Sequence, residues 1–297
     1  MQYGDFHGMQ TVVLENKFFR IESLAQAGPR IVRLISKWTG ENLFAETPEF
    51  SVRVPFGEYH YYGGHRIWIA PESTQASYIP DDIGASVKEV TGGYRIAGAM
   101  EPGTELRKSV TVQVSSEQPF IIVKHRIENC GKTAVKLSPW AITMLRPKGV
   151  AILPQQVGNV DDGGLQPNRR FSLWAYSRVN DSRLCLGDEF ITVKSDSIAG
   201  PFKLGYFNPH GWLGYVYDDL MFVKRFGVRR DEEYPDFGSN CEVYVDARSL
   251  ELETLGPLAV LEPKLDVVHT ETWEVYNVDK LPGELLGGKP LQDILQR

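Results

Sequence analysis

Apolar and polar residues alternate with period two along much of this chain. In Leu106–Val114, one face collects Leu106, Val110, Val112 and Val114, and the other carries Arg107, Ser109, Thr111 and Gln113; Lys108 alone breaks the pattern. Such alternation predicts a half-buried strand with one polar face. Runs at 11–15, 17–24, 30–36, 86–90, 119–128, 133–145, 190–194, 212–217, 241–246, 250–255 and 269–277 read as strands too. Gly-Gly pairs at 63–64, 92–93 and 163–164, and the turn Pro80-Asp81-Asp82, separate several of them. The best helical stretch is the short tail Pro290–Gln296. Strands without intervening helices predict an all-β architecture, a large antiparallel sandwich of sheets packed face to face. No linker, charge block or low-complexity tract divides the chain, so residues 1–297 read as one domain.

Composition narrows the partners. The formal net charge of -6 repels phosphate backbones, which argues against nucleic acid. Hydrophobic residues at 42% are enough for a sizeable core, yet no apolar run approaches the roughly 18 residues of a spanning helix, so no membrane partner is expected. The start, MQYGDFHGMQ, lacks the basic and apolar regions of a signal peptide. Three scattered cysteines, Cys130, Cys185 and Cys241, suggest no disulfide framework and suit a reducing cytoplasm.

Compact catalytic motifs are missing: there is no GxSxG elbow, HExxH pair, P-loop or GxGxxG fingerprint. Asp161-Asp162-Gly163-Gly164 lacks the ligand pattern of an EF-hand and reads as a tight turn. Chemistry must therefore be assembled from distant strands, and three segments offer it. In Phe120–Asn129, alternation places His125 beside Ile121, Val123 and Ile127, either as a hydrogen-bonded core residue or as a tuned acid lining a cavity. In Leu250–Leu255, Glu251 and Glu253 share one face opposite Leu250 and Leu252; they form either the wet side of an edge strand or a carboxylate pair whose repulsion raises one pKa. The segment from Tyr59 to Glu72 crowds aromatics with His60, His65 and Arg66 around Gly63-Gly64, a mix that suits a sugar cleft, because rings stack on pyranose C–H faces while Arg and His donors take hydroxyls. The spacing of His60, His65 and Glu72 matches no standard zinc pattern, so no metal is assigned. Asn208-Pro209-His210-Gly211-Trp212 repeats the His-plus-aromatic theme, while His269 and Trp273 read as core or edge residues.

These segments, with Leu14-Glu15-Asn16, Gly28-Pro29-Arg30-Ile31 and Glu41-Asn42-Leu43-Phe44 near the start, resemble the galactose-mutarotase-like superfamily, which includes the aldose epimerases. The closest likeness is to an uncharacterised branch. His125-Arg126-Ile127-Glu128-Asn129 keeps the family's His-to-Asn interval, with Lys124 in place of a leading Asn, and Leu252-Glu253-Thr254 aligns with the family's catalytic glutamate strand. Leu261-Glu262-Pro263-Lys264 and Glu271–Tyr276 are similar to its closing turn and last strand. Two departures stand out: Leu255-Gly256-Pro257 replaces the epimerases' loop after the base, and Gly-Gly-His-Arg-Ile-Trp differs from their His-Gly pattern.

The resemblance implies a β-supersandwich and a small-molecule carbohydrate ligand, with no cofactor required. Under an aldose 1-epimerase mechanism, Glu253 takes the anomeric hydroxyl proton while His125 protonates the ring oxygen. Trp68, Trp140 and Trp212 are candidates for the stacking floor. His65, Arg66, Glu72, His210 and Glu251 are candidates for binding substrate hydroxyls, or a carboxylate if the sugar is a uronate. The alternatives are a non-catalytic sugar-binding or sensing protein and a lyase or hydrolase acting on an acidic saccharide.

Overall fold

The period-two segments become strands of two antiparallel sheets in the computed structural model, which describes residues 1–195 and 200–295. The twelve-stranded sheet runs Gln2–Phe6, Met9–Glu15, Phe19–Leu24, Arg30–Ser36, Gly57–Ala70, Val135–Leu145, Leu250–Leu255, Cys241–Val245, Phe202–Tyr206, Phe171–Leu173; Glu46–Val54 pairs with Gly57–Ala70, and Ala259–Leu261 with Val135–Leu145. The ten-stranded sheet runs Leu184–Leu186, Phe190–Lys194, Val150–Pro154, Trp212–Tyr217, Leu220–Phe226, Asp266–Asn277, Phe120–Asn129, Leu106–Val114, Gly93–Met100, Ser86–Val90. A continuous cluster of buried side chains from both sheets, including Ile21, Ile67, Val123, Leu204, Phe222 and Trp273, fills the space between them. Burying each large apolar side chain contributes about 1.5–3 kcal/mol. The tail helix Leu291–Leu295 buries Ile294, and among the described residues no helix is long and apolar enough to cross a membrane.

Two local readings are resolved by the structure. Lys108, the break in the alternation, is buried and pairs with Glu101 at 2.7 Å. Asp161 accepts from the backbone N–H groups of Leu165 and Gln166, which makes 161–166 a tight turn.

One reading is corrected. Gly63-Gly64 is not a turn between strands but lies within the 14-residue strand Gly57–Ala70. Both glycines have positive φ, 88° and 64°, and a Cβ on either would sit 2.0 Å from a carbonyl oxygen, Ala45 O or Ile31 O. The kink lets the strand change partners: residues before it pair with Glu46–Val54, and residues after it pair with Val135–Leu145. Here the glycines serve close backbone approach rather than chain reversal.

Candidate functional site

Five adjacent strands of the twelve-stranded sheet build a cleft on the face turned away from the core. Pairing register sets its layout: Trp68 lies opposite Trp140, Glu253 opposite Glu242, Glu251 opposite Tyr244, and Lys203 opposite Tyr244 from the other side. Alternation does the rest. On each strand the neighbours of these residues, such as Ile67, Ala141, Leu252, Val243 and Leu204, point into the core. The resulting cavity, about 270 Å³, is lined by Arg66, Trp68, Glu72, Trp140, Glu251 and Glu253, joined by Phe50, Tyr61, Tyr78, Tyr176, Lys203, Tyr244 and Arg248.

Its walls are aromatic. Trp68 packs edge-on against Trp140 at 5.4 Å and tilted against Tyr78 at 4.4 Å, and Phe50 stacks on Tyr61 at 4.5 Å. Arg66 lies over the Trp68 ring at 4.4 Å and reaches Glu251 Oε1 at 3.3 Å. Lys203 lies over the rings of Trp140, 4.4 Å, and Trp174, 4.6 Å. Its Nζ is 2.6 Å from Glu242 Oε2 and 2.9 Å from Glu253 Oε2, which also accepts from Trp140 Nε1 at 2.7 Å. The turn bearing Trp174 and Tyr176 is clipped to Lys203 by Ser177, whose Oγ donates to Lys203 O and accepts from Lys203 N.

The two carboxylates of Leu250–Leu255 thus face the cleft. Burial raises the Glu251 pKa to about 7, against the pull of Arg66 and with help from the Glu253 charge. A group held above its unfolded value of 4.5 contributes stability that is full below pH 4.5 and lost as pH rises through 7. Glu251→Gln lacks this dependence, so its stability relative to wild type should rise between pH 4.5 and 7 in denaturant titrations; a flat difference would contradict the raised pKa.

The proposed pairing of Glu253 with His125 is corrected. His125 lies on the ten-stranded sheet with its ring fully buried between the sheets, behind the strands that form the cleft. Its Nδ1 donates to His269 O at 3.0 Å, so its Nε2 accepts from His65 Nε2 at 2.7 Å. His65 shares the core-facing side with Ile67 and Ile69, and its Nδ1 accepts from Thr143 Oγ1 at 2.8 Å, so it too faces away from the cleft and does not bind substrate there. The odd position beside Arg66 sends the imidazole inward. His210 is also displaced: its Nε2 meets Gln155 O at 2.8 Å, away from the cleft. Trp212 packs with Ile152, Met221 and Leu286 on the far face of the other sheet and offers no stacking floor to the cleft. Trp273 is core, as its strand pattern suggested.

His65, His125 and Glu271 bring ligand atoms within 4.8 Å of one another, the geometry of a possible cation cage. Each is already committed. Glu271 accepts from Trp273 Nε1 at 2.8 Å and from Thr254, while the Lys224 ammonium, 3.0 Å from Glu271 and bonded to Ala141 O, Thr143 Oγ1 and Leu252 O, is the cation of this cluster. His60 pairs with Asp82 at 3.0 Å, apart from His65. Burial lowers the His125 pKa from 6.5 to about 4, so its contribution to stability is full above pH 6.5 and lost as pH falls toward 4. NMR of the His125 ring should show it neutral at pH 6; a ring protonated at that pH would refute the assignment.

No protein-family model and no curated protein matches the chain. Solved structures do. The Slr1438 protein of Synechocystis sp. PCC 6803 superposes with a TM-score of 0.57 at 13% identity, over 90% of this chain and 96% of that one. A galactose mutarotase-like protein from Lactobacillus casei ATCC 334 gives 0.52 at 9% identity, over 90% of this chain and all of its own length. The fold is galactose-mutarotase-like. A galactose mutarotase related enzyme from Lactobacillus acidophilus agrees, with a TM-score of 0.52 at 10% identity over 90% and 97% of the two chains. At these identities the likeness establishes the architecture of the galactose-mutarotase-like sandwich, and the chemistry has to be argued from the residues.

Proposed function

We propose that this protein binds a sugar in the cleft of the twelve-stranded sheet and interconverts its anomers, with Glu253 as the base. The observation that carries the reading is the convergence of Glu251 and Glu253 with Arg66 and Lys203 at the floor of a cavity walled by Trp68, Trp140 and Tyr61. Aromatic faces suit pyranose C–H surfaces, and alternating carboxylates and cations suit hydroxyls that donate and accept. At about 270 Å³ the space lies just below the range of drug-sized ligand sites, ~300–1,000 Å³, and suits a single ring. Glu253 has a second carboxylate oxygen beside the one held by Lys203 and Trp140, which is the acceptor a general base needs. The related folds are described as mutarotase-like or mutarotase-related proteins, which favours anomeric chemistry over other uses of the same cleft.

The test is two-dimensional exchange NMR on glucose, galactose, glucuronate and galacturonate with catalytic amounts of protein. Exchange above the buffer rate for at least one sugar is expected. Saturable binding without acceleration would replace the enzyme reading with a sugar-binding role, and no binding at all would remove both. Trp140→Ala should weaken binding of the best sugar by about tenfold or more, because it removes a stacking face; unchanged affinity in calorimetry would move the ligand out of this cleft.

A further inference from the structure

We infer that Lys203 is the acid of the cleft, delivering the proton to the ring oxygen as Glu253 removes the anomeric one. This rests on the anomer-exchange reading above. With His125 sealed between the sheets, the base has lost the partner assigned from the sequence, and a replacement must sit on the same face within reach of the same C1 centre. Lys203 meets both conditions: it lines the cleft, and its Nζ is 2.9 Å from Glu253 Oε2.

Its hydrogen bonding leaves room for a substrate. Among the described residues the ammonium donates a hydrogen bond to Glu253 Oε2 and lies in ion-pair contact with Glu242 Oε2, so at least one of its three N–H groups has no oxygen acceptor. The rings of Trp140 and Trp174 confine the side chain, which fixes where that donor can be presented. Glu251, whose pKa is raised to about 7, is the other protonatable group of the cleft, but both of its oxygens are engaged by Arg66 Nη2, at 3.3 and 3.4 Å.

The step balances without a cofactor. Glu253 accepts the proton of O1–H as the O1 electron pair forms the C1=O1 bond. The C1–O5 bond breaks, its pair goes to O5, and O5 takes a proton from Lys203 Nζ. The open aldehyde rotates about C1–C2, and the reverse steps close the other anomer. Burial disfavours the charge on Lys203, but Glu242 and Glu253 outweigh it and hold the group well above the ordinary lysine range. That hold is loosened in the reaction itself, because protonating Glu253 removes a charge that retains the Lys203 proton, while burial pushes the Glu242 pKa well above the ordinary carboxylate range. An ion pair becomes a neutral pair, so no net charge is created in the buried site.

The test compares wild type, Lys203→Met, Lys203→Arg and the double variant Lys203→Met/Glu242→Gln in the exchange NMR assay on glucose, galactose and the two uronates, with binding measured by calorimetry. Variants folded by circular dichroism should lose about 100-fold or more in exchange for Lys203→Met and its double variant. Lys203→Arg, which keeps a cation between the carboxylates but with a far more tightly held proton, should lose at least about tenfold. Affinity should move less than the rate. Should Lys203→Met unfold, the double variant relieves one buried unpaired carboxylate, and Lys203→Arg keeps the charge balance. A folded Lys203 variant within about threefold of an active wild type would overturn the assignment while leaving anomer exchange intact. A wild type inactive on every sugar would overturn both.

Discussion

Glu253→Gln should reduce anomer exchange by about 100- to 10,000-fold, the range expected for removing one general acid–base group. Glutamine is nearly isosteric, and its carbonyl oxygen can still accept from Trp140 Nε1. Lys203 keeps Glu242 as a counter-ion, so the fold is expected to survive. What is lost is the ability to take up a proton. Sugar affinity should change by less than about tenfold, since hydrogen-bonding capacity in the cleft is largely retained, and the loss should fall on kcat rather than KM. A variant retaining the wild-type rate would remove Glu253 from the chemistry. His125→Gln provides the contrast. If it folds, its exchange rate should be that of wild type, because the ring has no route to the cleft; a loss as large as that of Glu253→Gln would restore His125 to the mechanism.

The second large effect is on stability. Glu271→Ala should cost about 3–5 kcal/mol, because it strands the Lys224 ammonium in the middle of the sandwich. Lys224, Glu271 and His65 are all fully buried; Thr143 bridges His65 and Lys224, and Thr254 bridges Glu271 and His269. Breaking one member leaves donors without acceptors where water cannot reach. Replacing both charges, as in Lys224→Met/Glu271→Met, should recover part of the loss, since two apolar side chains need no partners. Urea denaturation measures both; a single variant costing less than about 1 kcal/mol would show that the buried cluster is relaxed by water. That cost would be a large share of a typical total stability of about 5–15 kcal/mol.

Several parts of this protein were readable one strand at a time. The alternation in Leu106–Val114 and Leu250–Leu255 assigns faces without knowledge of neighbours, and it correctly placed Leu250 and Leu252 inward and Glu251 and Glu253 outward together. The aromatic segment from Tyr59 to Glu72 also led to the cleft through Arg66, Trp68 and Glu72. The same segment misled through Gly63-Gly64, because a glycine pair that permits close strand packing has the same local signature as one that makes a turn. Nothing in the local sequence marks Lys203 or Glu242. Each is one polar residue in a short alternating strand, 50 and 11 residues from Glu253, and neither strand announces its partner.

His125 marks the boundary between the two kinds of information. Period two says only that it shares a side with Ile121, Val123 and Ile127, and that is true in the folded protein. Whether that side faces a cavity or another sheet depends on pairing between residues more than a hundred positions apart, such as His125 with His269, and on the packing of one sheet over the other. The amino-acid order by itself determined the all-β class and the faces of the strands with clear alternation, such as Leu106–Val114 and Leu250–Leu255, because these follow from dihedral preference and side-chain periodicity within a few residues; Gly57–Ala70 and Phe202–Tyr206, which carry cleft residues, were not legible that way. Only the tertiary structure decided which polar faces meet: strand register and sheet stacking are long-range choices, and they put Lys203 rather than His125 beside Glu253.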